Sequence, residues 1–400
     1  MRVLFTTAPL PGHFYPLVPL AWALRAAGHE VLLAAPESFA DTVIEAGLPV
    51  AASASPVGFA EFMLHDREGR RLEPPRDPLA RRRASGRAWG RLAARTLEGT
   101  LRLAEEWRPD LIVSEPMEYA GQLTAAKCGI PWVEPGLNFA GFHGPDGPDG
   151  PAEEELAPER AALGLAGLPE PALLLDICPP SMRGTAPRHG TPMQHVPYNG
   201  PDIRPAWPPR PPGTPRVCLT LGSMLPTHGK LDFPGRMAEM MTALTGLGAE
   251  VVVAVDEQVA RGWEPLPDGV VAAGRFPLDR ALTDCDVLIS HGGPGSVFAA
   301  LVHGVPQLCL PQTSDQFENA ALVEQHGLGL RLTPEDASTE AVLSRTEALL
   351  RDDSHRLAAR AVAAEIALLP APADIVPVLE KVALSGSAGP VGAVRSGAAE

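Results

Sequence analysis

Val287-Leu288-Ile289-Ser290-His291-Gly292-Gly293-Pro294-Gly295-Ser296 decides the reading of this 400-residue chain. Val287–Ser290 is a short run that suits a buried strand. The glycines after it let the backbone turn tightly and let a ligand come close to it. A helix opens directly afterwards, and its first N–H groups have no partner inside the helix, so they can bond an anion. His291 and the Ser296 hydroxyl can add donors to phosphate oxygens. A tight turn whose glycines serve packing alone is the competing explanation. Three glycines, a histidine and a serine at one helix start favour the anion. The loop lacks the Gly-Lys-Ser/Thr of nucleoside triphosphatases, and Phe298 stands where the last glycine of a dinucleotide fingerprint belongs.

The pattern repeats on both sides. Downstream, strand Gln307–Leu310 leads into Pro311-Gln312-Thr313-Ser314-Asp315-Gln316 and then helix Gln316–Gln325. Two consecutive strand ends would then line one crevice, the usual ligand position in open α/β sheets. Asp315 and Gln316 suit vicinal hydroxyls, although Asp315 and Glu318 also fit a helix capping box. Upstream, strand Val217–Leu221 runs into Gly222 and Ser223, which can present an N–H and a hydroxyl to a phosphate. An ordinary turn explains them as well. Further strands are expected at Val251–Val255 and Val270–Ala273, with helices near Gly235–Leu247, Ser296–Val302 and Thr339–Leu350.

The first third shows the same alternation. Strands are expected at Val3–Thr7, Glu30–Ala35, Leu111–Ser114 and Pro131–Glu134, and helices at Pro16–Ala27, Ser38–Ala46 and Tyr119–Cys128. Strand-helix-strand order with short connections implies parallel sheets with right-handed crossovers. Residues 141–160 read as a mobile loop and the proline-rich 199–215 as a linker. The fold class is therefore α/β. An N-terminal domain spans 1–198 and a C-terminal domain 216–370, and a Gly/Ser/Ala-rich tail, 385–400, is expected to be disordered. Gly12-His13 follows the first strand, and Ser114-Glu115-Pro116 ends another strand of the same sheet. A carboxylate beside an imidazole fixes its tautomer and raises its basicity, so His13 and Glu115 form a candidate catalytic pair. A structural histidine is the alternative.

Composition sets the outer bounds. With 45% hydrophobic and 20% charged residues the chain is globular, and 45 prolines and 39 glycines leave it below the roughly 25–30% of low-complexity sequences. A net charge of −15 argues against nucleic acid as a partner. Five cysteines without a C-x-x-C fit reduced thiols in a cytoplasm. No run approaches the roughly 18 apolar residues of a membrane span. Asp284-Cys285-Asp286 imitates the D-x-D of metal-dependent sugar transferases but precedes its strand, so no metal is inferred. Arg83, Arg87, Arg91 and Arg95 form a helical stripe, read as a solvated face. No G-x-S-x-G nucleophile elbow is present.

Gly12-His13, Pro197-Tyr198-Asn199-Gly200, Ser290-His291-Gly292-Gly293-Pro294-Gly295-Ser296 and Pro311…Asp315-Gln316 together resemble the family 1 GT-B glycosyltransferases, especially the bacterial branch that decorates antibiotic and other natural-product aglycones. The resemblance covers most of residues 1–382. It implies two Rossmann-like domains facing a cleft, with a nucleoside-diphosphate sugar on the C-terminal domain and the acceptor on the N-terminal one. It assigns the diphosphate to Ser223, His291, Gly292, Gly293, Gly295 and Ser296, with Gly222 beside them. Phe276 takes the nucleobase through its backbone, and Asp315 and Gln316 take sugar hydroxyls. His13 takes the place of the general base and Glu115 that of its usual Asp partner. The helix at 371–384 would cross back to the N-terminal domain.

The reaction implied inverts the anomeric carbon and uses neither metal nor cofactor. Its partners would be a dTDP- or UDP-linked sugar, a deoxysugar in the resembled branch, and a small hydrophobic aglycone. A homodimer is compatible with it. Candidate acceptor walls are Phe59, Phe62, Met63, Trp89, Phe139 and Phe142, each of which suits the core equally. The alternatives are a sugar-nucleotide epimerase, which would convert a nucleotide sugar without acceptor, and a silent nucleotide-sugar-binding homologue, which would bind without turnover.

Overall fold

The computed structural model describes residues 1–75, 77–139, 147–183, 190–201, 207, 209–220, 222, 233–313 and 315–385. It divides into two compact units. One comprises Met1–Cys178, Arg183–Val196 and the stretch from Leu369 onward; the other comprises Pro179–Met182 and Pro197–Leu368.

In the first unit the described strands are β1 (Arg2–Thr6), β2 (Glu30–Pro36), β3 (Val50–Ala54), β4 (Leu111–Ser114), β5 (Trp132–Glu134), β6 (Leu173–Asp176) and β7 (Thr191–Pro192). They lie in the order 3-2-1-4-5-6-7 and all pair in parallel. Val3, Leu4 and Phe5 are fully buried, because helices cover both faces of a parallel sheet and a central strand must be apolar throughout. The strand order reverses between β1 and β4, where Thr6 pairs with Ser114. Those strands therefore end level, and the residues that follow them emerge together.

Gly12-His13, after the first strand, lies in one turn of helix, Pro11–Phe14, with Pro11 in the first turn, where its fixed φ and missing N–H carry no penalty. The expected loop at 141–160 is corrected from Asp149 onward, whereas 141–146 lie outside the described residues. Asp149–Glu155 and Ala157–Leu163 are helical, and Ala152 and Leu156 are buried beside Ala88, Trp89 and Leu92 of the long helix Pro78–Trp107. Apolar residues at helical spacing outweigh the local Pro and Gly content there.

The arginine stripe on the long helix is a solvated face at Arg83, Arg87 and Arg95, whose side chains are 36–45% exposed, but not at Arg91. Arg91 is 6% exposed, donates to Phe62 O at 3.0 Å and lies 3.8 Å from Glu155. Arg83 and Arg87 pair with Glu154, and Arg95 with Glu61. The stripe thus ties two neighbouring segments to this helix. The C-terminal helix, Pro372–Ser385, packs on Val18–Ala26 and places Glu380 3.0 Å from His29.

The second unit repeats the plan. Its described strands are β8 (Arg216–Leu219), β9 (Glu250–Ala254), β10 (Val270–Gly274), β11 (Val287–Ser290), β12 (Gln307–Cys309) and β13 (Gly329–Arg331), in the order 10-9-8-11-12-13 and all parallel. The reversal falls between β8 and β11. Asp284 and Asp286 sit where β11 begins, at the opposite sheet edge, and are held by Arg216 and Arg210. Trp207, inside the stretch read as a linker, packs edge-on against Phe276 at 5.2 Å. Among the described residues no single helix is long and apolar enough to cross a membrane.

Candidate active site

Each unit concentrates its polar chemistry at its own strand-order reversal. In the first unit, His13 Nδ1 lies 3.0 Å from Glu115 Oε1. Glu115 directly follows β4 and its side chain is fully buried, whereas the His13 side chain is 19% exposed. The carboxylate also accepts from Ala8 N at 3.3 Å and, through Oε2, from Met117 N at 2.8 Å. These main-chain donors fix the longer Glu side chain, so it meets the ring at bonding distance where the resembled family has Asp. A carboxylate accepting from Nδ1–H sets the neutral ring in one tautomer and puts the basic lone pair on Nε2. The arrangement can take a proton from a hydroxyl.

Trp89 stands 4.8 Å from the His13 ring. Phe62 lies 5.4 Å from Trp89, and Phe59 5.5 Å from Phe62, so an aromatic row runs up to the imidazole. Trp89 and Phe62 are nonetheless buried, as is Phe139; only Phe59 and Met63 keep partial exposure. Three of the expected acceptor walls are therefore core residues here. Phe142 lies outside the described residues.

In the second unit β11 ends at Ser290, whose hydroxyl accepts from Gly292 N at 3.1 Å. Gly292 has φ +79, a conformation that side chains rarely adopt, and Asn319 Nδ2 holds its carbonyl at 3.0 Å. Two glycines lie close to the His291 ring: a Cβ on Gly222 would stand 2.7 Å from its Cε1, and one on Gly293 2.9 Å from the same atom. The two loops meet across this ring, which acts as their spacer. Its Nδ1 is buried without a partner among the described residues.

Burial holds the His291 imidazole down to about 4, against an ordinary 6.5. Unfolded, the ring takes a proton near 6.5; folded, it does so only near 4. The contribution of the neutral ring to stability is thus complete above the unfolded value and is lost as pH falls through that interval. The thermal midpoint of a His291→Asn variant should fall less steeply than that of the parent between those two values. Parallel melting curves across the pH series would remove His291 as the cause.

The helix Pro294–His303 starts at this turn, with Gly293 as its N-cap. Ser296 N and Val297 N bond back to Gly293 O. Gly295 is exposed, and nothing lies within 4 Å of the place its Cβ would take. No hydrogen bond among the described residues uses its N–H. That N–H, the half-buried Ser296 hydroxyl and the positive end of the helix dipole together make a cradle for an anion.

Gln316 Oε1 accepts from Gln312 N at 2.9 Å and Thr313 N at 3.1 Å, so its carbonyl end shapes the loop after β12 and its amide N–H₂ remains the donor. Asp315 makes no side-chain cap bond, so the capping box read from Asp315 and Glu318 does not form. Among the described residues neither the N–H nor the C=O of Phe276 is hydrogen-bonded, which leaves a main-chain donor and acceptor for a planar heterocycle. Ser223 lies outside the described residues. Asn319 was missed in the sequence; the available signal was an Asn at a core-facing position of a helix, 2% exposed.

Residues 22–222 match the family described as erythromycin biosynthesis protein CIII-like, N-terminal domain, and residues 238–382 match its C-terminal domain. The chain is 40% identical over 376 residues to an L-demethylnoviosyl transferase of Streptomyces niveus, covering 94% of this chain and 96% of that one. It is 38% identical to the elloramycin glycosyltransferase of Streptomyces olivaceus, covering 94% and 96%. Among solved structures it is similar to a Streptomyces sp. SF2575 glycosyltransferase complexed with thymidine diphosphate, at TM-score 0.84 and 40% identity, covering 95% and 99%. It is also similar to a spinosyn rhamnosyltransferase complexed with spinosyn aglycone, at TM-score 0.81 and 33% identity, covering 95% and 100%.

Proposed function

The chain belongs to the erythromycin biosynthesis protein CIII-like glycosyltransferases of antibiotic pathways, and on that premise we propose that it moves a deoxysugar, with inversion and without a metal ion, from a thymidine-diphosphate donor to a hydroxyl of a small hydrophobic aglycone. The observation that carries this reading is the His13–Glu115 pair at the mouth of the first sheet, with a phosphate-type helix start in the equivalent place of the second.

The steps follow from the residues. His13 Nε2 removes the proton of the acceptor hydroxyl as that oxygen attacks the anomeric carbon. Buried Glu115 stabilises the imidazolium that forms. The C–O bond to the diphosphate breaks on the opposite face of the sugar, which inverts the anomeric centre. The Gly295 N–H, the Ser296 hydroxyl and the helix dipole stabilise charge growing on the leaving diphosphate. The amide of Gln316 and the carboxylate of Asp315 orient sugar hydroxyls. The Phe276 main chain holds the base.

Two features support charge stabilisation by the protein alone. The cradle is built from fixed dipoles, and the only D-x-D pair is taken up by Arg216 and Arg210. Turnover is therefore expected to persist in excess EDTA; loss of turnover that Mg²⁺ restores would refute metal independence. The reading as a whole is tested by a mass-spectrometric screen of dTDP- and UDP-sugars against polyketide and flavonoid acceptors, with the product anomer assigned by NMR. Conversion of the nucleotide sugar without acceptor would indicate an epimerase. Retention of configuration would overturn the displacement described.

A further inference from the structure

Glu118 is a buried carboxyl near the reacting pair that the mechanism leaves unused. It is 3% exposed and caps the helix Tyr119–Cys128, accepting from Gly121 N at 2.8 Å through Oε2. Its Oε1 lies 3.0 Å from Thr96 Oγ1, on the long helix Pro78–Trp107. Its own N–H donates to Glu115 O at 3.1 Å. Its carbonyl accepts from Ser114 Oγ at 2.7 Å, and that hydroxyl accepts from Thr6 Oγ1 at 2.9 Å.

The consequence lies in what these bonds connect. Glu115 on the turn after β4 and Trp89 on the long helix both flank His13. Thr96 follows Trp89 by seven residues, two helical turns, and so shares its face. The Glu118–Thr96 bond therefore locks the helix bearing Trp89 to the turn bearing Glu115. Gly121 lets the start of the helix that Glu118 caps lie close on β1 and β4, since a Cβ there would collide with the hydroxyls of Thr6 and Ser114. We propose that Glu118 is a positioning residue for the transfer reaction: bonded to Thr96, it sets the spacing of Glu115 and Trp89 and thereby the orientation of the His13 ring.

Burial, with the nearby charge of Glu115 adding to it, raises the Glu118 carboxyl above the ordinary range. The Thr96 hydroxyl, which donates to Glu118 Oε1, also lies 3.3 Å from Leu92 O and from Ala93 O, so it can turn to donate there and accept from an amide at position 118. Glutamine can therefore keep both bonds, with its amide N–H on Thr96 and its carbonyl on Gly121 N. The inference rests on His13 being the base, so its test is built to separate the two.

Steady-state kinetics are measured for Glu118→Ala, Glu118→Gln and Thr96→Val, each alone and combined with His13→Ala. Glu118→Ala and Thr96→Val are expected to lower kcat about ten- to a hundredfold with little change in donor KM, the signature of a misplaced reacting group. Glu118→Gln is expected to stay within about threefold of the parent, because it keeps both bonds. On the His13→Ala background the same changes should cost less than about twofold, since no base is left to orient. Thr96→Val carries the test if Glu118→Ala fails to fold. Losses of equal size on both backgrounds, or a Gln variant as poor as Ala, overturn the proposal. If His13→Ala alone keeps full turnover, the base assignment has failed instead, a result read before any Glu118 variant is made.

Discussion

Replacing His13 with alanine is expected to lower kcat on a hydroxyl acceptor by about two to four orders of magnitude, the range for loss of a positioned general base. The geometry gives the reason. The ring meets a fully buried carboxylate at 3.0 Å, and that carboxylate is held by two main-chain N–H groups, so tautomer and orientation are set before substrate arrives. Such pre-organisation costs nothing at the moment of reaction. Thymidine diphosphate binding should be unchanged in the variant, because the proposed donor-binding groups lie in the other compact unit. A titration separates the outcomes: intact nucleotide binding with lost turnover supports the role, whereas full turnover removes His13 from it.

Gly293→Ala is expected to weaken thymidine diphosphate binding by roughly 5- to 150-fold, which follows from about 1–3 kcal/mol of overpacking at tenfold per 1.4 kcal/mol. The added Cβ would enter the His291 ring, standing 2.9 Å from Cε1 and 3.2 Å from Cδ2. Gly222 also lies close to the ring, its Cβ position 2.7 Å from Cε1, which limits where the ring can shift. Either the loop after β8 or the N-cap of the helix Pro294–His303 has to move, and both belong to the proposed diphosphate cradle. Isothermal calorimetry on parent and variant reads the change directly. Unchanged affinity in a folded Gly293→Ala protein would show that the cradle does not depend on this close approach.

How much was legible depended on the length scale of each signal. β11 and the helices Tyr119–Cys128 and Gln316–Gln325 were read to the residue, because apolar runs, a terminal Gly129 and a loop-to-helix change are local cues. The strands β3, β6, β7 and β13 went unread. Val50–Ala54 is mostly alanine, β13 has three residues and β7 two, too few to show a period. The stretch 149–160 reads as loop because its prolines and glycines are weighed without the helix it packs on. Arg91 looked solvated for the same reason. Its burial depends on Phe62 O and Glu155, which are distant in sequence.

By itself, the sequence determined two α/β halves, a glycine-built turn before the helix Pro294–His303, and the residue types able to move a proton or hold an anion. These follow from backbone preferences and from free N–H groups at a helix start, and both act over a few residues. Only the tertiary structure decided that Glu115 reaches His13 across 102 positions, that the His291 ring lies close to both Gly222 and Gly293, and that Glu118 bonds Thr96. Such distances come from strand order and register, with Thr6 level with Ser114, and are set by burial summed over both faces of a sheet. No local stretch of chain encodes that sum.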